Sequence, residues 1–219
     1  VNQRYLEFRV WLRENPASGV SINSGYQSEI ILYKSPYGNY VHKRPLRKFI
    51  LLAVINTYLI KREYKALKSL RGINNIPNVY GYDKGIFMDH YNAKNLREVN
   101  ANNEDLSLAF YDSLLETIHE IHARGIVHCD LKRKENILKD NTGKCLIVDF
   151  GICIYKSNLF FKLFFKLLVQ SDLNAYIKLK YKNKLDSLSK ADLEIYNLTQ
   201  AERLLKKLRA LKKKWLNTS

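Results

Sequence analysis

A carboxylate at Asp130, an amide at Asn136 and a second carboxylate at Asp149 fall within one short part of this chain. The first two lie in His128-Cys129-Asp130-Leu131-Lys132-Arg133-Lys134-Glu135-Asn136, and the third, after a polar interval, in Leu146-Ile147-Val148-Asp149-Phe150-Gly151. Moving the γ-phosphate of ATP needs one carboxylate beside the attacking hydroxyl and two oxygen-bearing side chains on Mg²⁺, all held by rigid neighbours. Asp130 suits the first task. Asn136 and Asp149 suit the second.

Such groups work only if secondary structure positions them. Leu6, Val10 and Trp11 at helical spacing predict a first helix over 1–14, stopped by Asn15-Pro16. Ile30 to Tyr33 and Tyr40-Val41, separated by Ser35-Pro36-Tyr37-Gly38-Asn39, read as a hairpin. Phe49 to Leu70 holds no Gly or Pro and is long enough for a helix ended by Gly72. Two short strands are expected around the turn at Asp83-Lys84. Leu106 to Arg124 reads as another helix, with Leu108, Leu114, Leu115, Ile118 and Ile121 inward and Gly125 as its stop. No internal repeat appears.

The 219 residues, 46% of them apolar, suffice for a core in one domain or two small lobes. Cys129, Cys145 and Cys153 form no Cys-x-x-Cys pair, which suggests a reducing compartment. No run approaches the ~18 apolar residues of a membrane span, and the N-terminus lacks the order of a signal peptide. A soluble cytoplasmic protein is the expectation. The formal charge of +16 asks for an anionic partner: nucleic acid, a lipid surface, or an acidic or phosphorylated substrate. Much of it is terminal, since residues 156–219 hold fifteen Lys or Arg against five Asp or Glu.

Strands first, a helix among them and then a mainly helical half is the element order of the two-lobed protein-kinase-like fold, and the motifs resemble that family at residues 20–155. Asn23 to Ile30 resembles a degraded Gly-rich loop, with Gly25 at its middle glycine, Ser28 at its third and Ile30 at the following valine. Lys43 takes the place of the strand lysine on the α- and β-phosphates, and Glu63 that of the helix glutamate that holds this lysine still. Met88-Asp89-His90-Tyr91 resembles the hinge whose backbone binds adenine, with Met88 as gatekeeper. His128, Asp130 and Asn136 match the His-Arg-Asp loop, and Asp149-Phe150-Gly151 matches Asp-Phe-Gly. The resemblance implies an α+β fold with an antiparallel-sheet N-lobe (1–89) and a shortened helical C-lobe (90–219). It also implies ATP and Mg²⁺ as cofactors. Asp130 and Lys132 become the catalytic pair, Gly25, Ser28, Ile30, Lys43, Glu63, Met88, Asp89 and Tyr91 the nucleotide site, and Asn136 and Asp149 the metal ligands.

Two departures shape the expectation further. Cys129 replaces the arginine that pairs with a phosphorylated activation loop in regulated members, so that control is expected to be absent. Asp130 to Asn136 is one residue longer than the family's Asp-Leu-x-x-x-Asn, which leaves Lys132 and Lys134 as alternatives for the γ-phosphate contact. The short region after Gly151, without Ala-Pro-Glu, makes the chain resemble most the small bacterial lipopolysaccharide (Kdo/heptose) kinases and RIO-like kinases. The acceptor is then a hydroxyl of a lipopolysaccharide-core sugar or of a protein Ser/Thr. A rival reading keeps the fold without transfer, as a kinase-like binding module for an anionic partner.

Cys129 beside Asp130 reads as a small buried residue, or more sharply as a redox-sensitive thiol. His119 and His122 read as helix-surface or packing residues rather than metal ligands. Leu159 to Val169 reads as a core helix of the C-lobe, with a membrane-surface helix as the sharper alternative. Thr199 to Glu202 reads as a capping box for a last helix with Leu204, Leu208 and Trp215 on one face and Lys206, Lys207, Lys212 and Lys213 on the others. That basic tail is expected to pack on the C-lobe or to attract the chain to the anionic inner membrane face. Nucleic acid is the less favoured partner.

Overall fold

The computed structural model describes residues 3–24, 28–46, 49–157, 162, 164–182 and 184–197. The chain opens with helix α1 (Gln3–Glu14) and strands β1 (Val20–Ser24), β2 (Ser28–Ser35) and β3 (Gly38–Pro45). Helix α2 (Ile50–Ser69) follows, then β4 (Val79–Tyr82) and β5 (Ile86–Asp89). These strands form one antiparallel five-stranded sheet in the order β1-β2-β3-β5-β4. The β2–β3 hairpin is paired without a break from Ser28↔Pro45 to Ser35↔Gly38. Gly38, at φ +129°, lets its turn close so tightly.

The second half is mainly helical. Strand β6 (Ala93–Asn95) leads into α3 (Leu96–Ala101), which starts in a capping box between Asn95 and Glu98. Helix α4 (Leu108–Ala123) is capped by the Ser107 hydroxyl and ends before Gly125, at φ +71°. Then come β7 (Ile126–Val127), a 3₁₀ turn (Lys134–Asn136), β8 (Ile137–Asp140), β9 (Cys145–Ile147) and β10 (Ile154–Tyr155). β6, β8 and β9 form one small sheet, β7 and β10 another. Helix α5 (Phe165–Lys180), a 3₁₀ turn (Leu185–Ser187) and α6 (Lys190–Ile195) complete the described chain. The result is a two-lobed α+β fold with an antiparallel sheet in one lobe and helices in the other.

One apolar core joins the lobes, running from Ile60, Leu67, Val79 and Met88 through Phe150 to Ile118 and Tyr176. A second, aromatic core lies between α1 and the sheet: Phe8 stacks on Tyr40 with centroids 4.2 Å apart, and Tyr5 on Tyr80 at 4.9 Å. Leu6 and Val10 point outward and Tyr5 and Phe8 are buried, because the sheet presents an aromatic surface that rings fill better than branched aliphatics. Leu108 is likewise exposed at the first turn of α4, and Phe110 and Tyr111 are buried beside Leu114, Ile118 and Ile121.

Of the apolar helix expected over Leu159 to Val169, residues 159–161 and 163 lie outside the described residues, Lys162 is helical and α5 runs on from Phe165. It fills the core through Ala175, Tyr176 and Ile177, whereas Phe164 and Leu167 face outward. The expected last helix and its capping box lie outside the described residues.

These packing assignments separate two substitutions that look alike on paper. Phe8→Ala removes a fully buried ring and is expected to lower unfolding free energy by about 3–5 kcal/mol. Val10→Ser, at an exposed position, is expected to change it by no more than ~0.5 kcal/mol. Urea denaturation followed by circular dichroism measures both.

Candidate active site

Lys43 lies in β3 between β2 and β5, opposite Ile30 on one side and Ile86 on the other. Its ammonium is 2.7 Å from Glu63 Oε2 on α2 and 3.0 Å from Asp149 Oδ1 beyond β9. Burial pushes the Lys43 pKa down, but the two carboxylates outweigh it and raise it above the ordinary lysine value. Burial pushes the Glu63 carboxyl up against the pull of Lys43. At Asp149 burial also pushes upward, yet Lys43 prevails and holds the group below the usual carboxylate range. The backbone of β3 comes so close to the next turn that a Cβ at Gly85 would sit 2.5 Å from the Lys43 carbonyl. Only glycine fits there. His42, stacked on Phe87 at 3.9 Å, has its pKa lowered by burial to about 4 and stays neutral.

The second half of the site is the loop between β7 and β8. His128 is fully buried, accepts the Asp130 N–H at Nδ1 (3.3 Å) and, in that tautomer, donates from Nε2 to the Val148 carbonyl (3.0 Å). Beneath the loop Asp172 of α5 accepts the backbone N–H groups of His128 (2.8 Å) and Cys129 (3.0 Å) and faces His122 Nε2 at 3.2 Å. Three donors on one buried carboxylate fix the loop from below. Cys129 is thereby held at φ +68°, a conformation uncommon outside glycine.

The amide nitrogen of Asn136 donates to both the carbonyl and Oδ2 of Asp130, each at 3.0 Å. With both N–H bonds directed to Asp130, the Asn136 side-chain oxygen remains as an acceptor. The Asn136 carbonyl in turn accepts the Val148 N–H at 2.9 Å, tying the two motifs together one residue before Asp149. Burial raises the Asp130 pKa above the ordinary aspartate value in spite of Asn136 and of Arg133, whose guanidinium lies 3.9 Å away. A carboxylate of raised basicity is a better proton acceptor.

The sequence candidates separate into groups. Lys43, Glu63 and Asp149 meet in one ion cluster, and Asp130 and Asn136 in one hydrogen-bonded pair. Gly25 lies outside the described residues. Ser28 begins β2, and Ile30 lies opposite Lys43. Met88 is buried in β5. The Asp89 carboxylate is taken up by Tyr80 (2.5 Å), Asn78 (3.0 Å) and Tyr91 (3.4 Å), and the backbone N–H groups of Asp89 and His90 are bonded to the carbonyls of Asn78 and Asn39. Lys132 and Lys134 are both exposed. Burial pushes the Cys129 thiol up to about 12, which leaves it protonated and weakly nucleophilic at neutral pH. Of the two histidines read as helix-surface or packing residues, His119 is exposed and His122 packs against Asp172.

Asp172 itself escaped the sequence reading. An acid within an apolar helix was the available signal, but its partners lie 43 and 44 positions away.

The donors available for a metal are the Asp149 carboxylate and the Asn136 amide oxygen. Among the described residues no group of three or more His, Cys, Asp or Glu is placed to hold a metal ion. A hard-oxygen pair of this kind fits Mg²⁺, which takes few protein ligands and completes its shell with phosphate and water.

The protein kinase domain model matches residues 54–160. The chain is 36% identical over 76 residues to serine/threonine-protein kinase shk2 of Schizosaccharomyces pombe, covering 33% of this chain and 13% of that protein. It is 29% identical over 99 residues to serine/threonine-protein kinase D of Synechocystis, covering 42% of this chain and 20% of that one. Against CBL-interacting serine/threonine-protein kinase 15 of Arabidopsis thaliana it is 32% identical over 122 residues, 52% of this chain and 29% of the relative. The chain thus spans less than a third of the length of each. These matches support a protein-kinase-like domain and single out no subfamily.

Removing the Asp172 carboxylate strips the acceptor from buried N–H groups, each costing about 1–3 kcal/mol when left unpaired. Asp172→Ala is expected to lower the thermal midpoint clearly more than Asp186→Ala, a change in the exposed 3₁₀ turn. Differential scanning calorimetry of the two variants compares them.

Proposed function

We propose that this chain transfers the γ-phosphate of ATP to a hydroxyl group, with nucleotide held between a lobe of residues 1–89 and one of residues 90–219. The observation that carries this reading is the joining of two charge arrangements by the Val148–Asn136 backbone bond: Lys43 held by Glu63 and Asp149, and Asp130 held by Asn136. Lys43, protonated and immobilised, faces the α- and β-phosphates. Asn136 and Asp149 hold Mg²⁺, which when bound neutralises charge on the phosphates. Asp130 orients the acceptor hydroxyl and takes its proton as the phosphoryl group leaves ADP. Arg133 or an exposed lysine of the lengthened loop, Lys132 or Lys134, meets the γ-phosphate. Ser28, Ile30 and Met88 border the nucleotide, with Gly25 in the loop ahead of β2 and the Asp89 and Tyr91 backbone at the adenine.

A protein Ser or Thr is the acceptor favoured by the three relatives described above, each named a serine/threonine-protein kinase. One observation favours a second acceptor, a sugar hydroxyl of a lipopolysaccharide core. Only residues 152–164 separate Gly151 from α5 and they hold no Ala-Pro-Glu, and Asn197, just after α6, is hydrogen-bonded to Asn174 of α5, features that support an acceptor other than an extended peptide.

Asp130→Asn is expected to reduce ADP release at least ~100-fold while thermal stability stays equal or rises. The sign follows from the raised pKa: burial disfavours the ionised carboxylate in the folded state, so its charge is a stability cost above that pKa. For the same reason turnover of the wild type should fall on acidification at a pH above the ordinary aspartate value of about 3.9. Undiminished ADP release by Asp130→Asn would overturn the assignment. Mass spectrometry of generic protein substrates and of lipopolysaccharide core after incubation with ATP decides the acceptor.

A further inference from the structure

Helix α2 has two unlike faces. Inward, Asn56, Ile60, Glu63, Ala66 and Leu67 are buried. Outward, Ile50 is 88% exposed, Leu51 73%, Val54 64% and Tyr58 62%. Single exposed apolar side chains are ordinary, but a cluster on one helical face marks an interaction surface. At about 100° per residue, Ile50, Val54 and Tyr58 share a row with Lys61, Lys65 and Lys68, all three of these lysines exposed. The one acid of the helix, Glu63, faces inward against Lys43. The outer row is therefore apolar for its first turns, cationic for its last, and free of negative charge.

Three occupants suit an apolar face, and charge and shape choose among them. A second copy brings its own +16 to the contact, which opposes self-association. A peptide partner needs a groove, whereas this row protrudes. An anionic bilayer supplies an apolar layer for the first turns and phosphates for the lysines. Among the described residues no helix is long and apolar enough to cross a membrane, so such contact would be peripheral.

We propose that the outward face of α2 docks this chain on an anionic lipid bilayer, with Ile50, Val54 and Tyr58 entering the interface and Lys61, Lys65 and Lys68 lying over the phosphates. The inference is independent of phosphoryl transfer. Glu63 and Lys43 lie on the opposite side of the same helix, so docking leaves the site uncovered.

The test is co-sedimentation of the full chain with phosphatidylcholine vesicles, with and without phosphatidylglycerol. Binding is expected only with the anionic lipid, to weaken with salt, and to weaken about tenfold or more in Ile50→Ser/Val54→Ser/Tyr58→Ser. A quadruple variant of the tail, Lys206→Gln/Lys207→Gln/Lys212→Gln/Lys213→Gln, is expected to keep most binding. Should the serine variant fail to fold, Tyr58→Trp on a Trp215→Phe background decides, its emission shifting to the blue on vesicles and being quenched by brominated lipid more than that of Trp215→Phe alone. No sedimentation of the wild type, wild-type binding by the serine variant, an unshifted emission, or loss confined to the tail variant overturns the proposal. So does a dimer broken by the serine substitutions in a chain that ignores vesicles.

Discussion

The ammonium of Lys43 is almost wholly removed from water, and a buried cation left alone costs several kcal/mol. Its placement therefore dictates that two carboxylates arrive from elsewhere. Glu63 comes from a helix and Asp149 from the segment after β9, so one charge binds a strand, a helix and a loop into fixed relation. Gly85 supplies the space, because a side chain there would collide with the Lys43 carbonyl. Were any of the three elements displaced, the remaining charges would be buried without compensation.

The helical lobe solves the same problem with the opposite sign. Asp172 is a buried anion, and its compensation comes from backbone N–H groups of the loop above and from the His122 ring. That arrangement holds Cys129 in a left-handed backbone conformation immediately before Asp130. Phe150 links the two solutions, being fully buried in the shared core and touching the His128 ring at 4.7 Å. Asp130 is paired with Asn136 and Arg133, yet burial outweighs both. Its pKa is raised, so its ionised form is kept at some cost to stability, as is common where a group must react.

The outward side of α2 shows the consequence of using one helix for two purposes. The positions that face the core are restricted by Glu63 and its apolar neighbours. The remaining positions are free to carry a surface whose composition answers to what lies outside the molecule. An apolar row continuing into lysines is an unusual choice for a face in water, and its contact with the rest of the fold includes Lys65, whose ammonium lies 5.4 Å from the Tyr155 ring centroid.

Much of the architecture was legible from the chain because it rests on local chemistry. The β2–β3 hairpin followed from a turn-rich interval between apolar runs, α2 from the absence of Gly and Pro, and the end of α4 from Gly125. Lys43, Glu63, Asp130, Asn136 and Asp149 could be singled out because each lies at a characteristic distance from the next. What the sequence determined was thus the order of elements and the identity of the groups able to do chemistry. The tertiary structure alone decided which face of α1 is buried, that the Asp89 carboxylate is already occupied, that Asp172 supports the loop, and that one side of α2 stays uncovered. Burial and hydrogen-bond choice depend on neighbours brought together from distant parts of the chain, and periodicity within a single element carries no record of them.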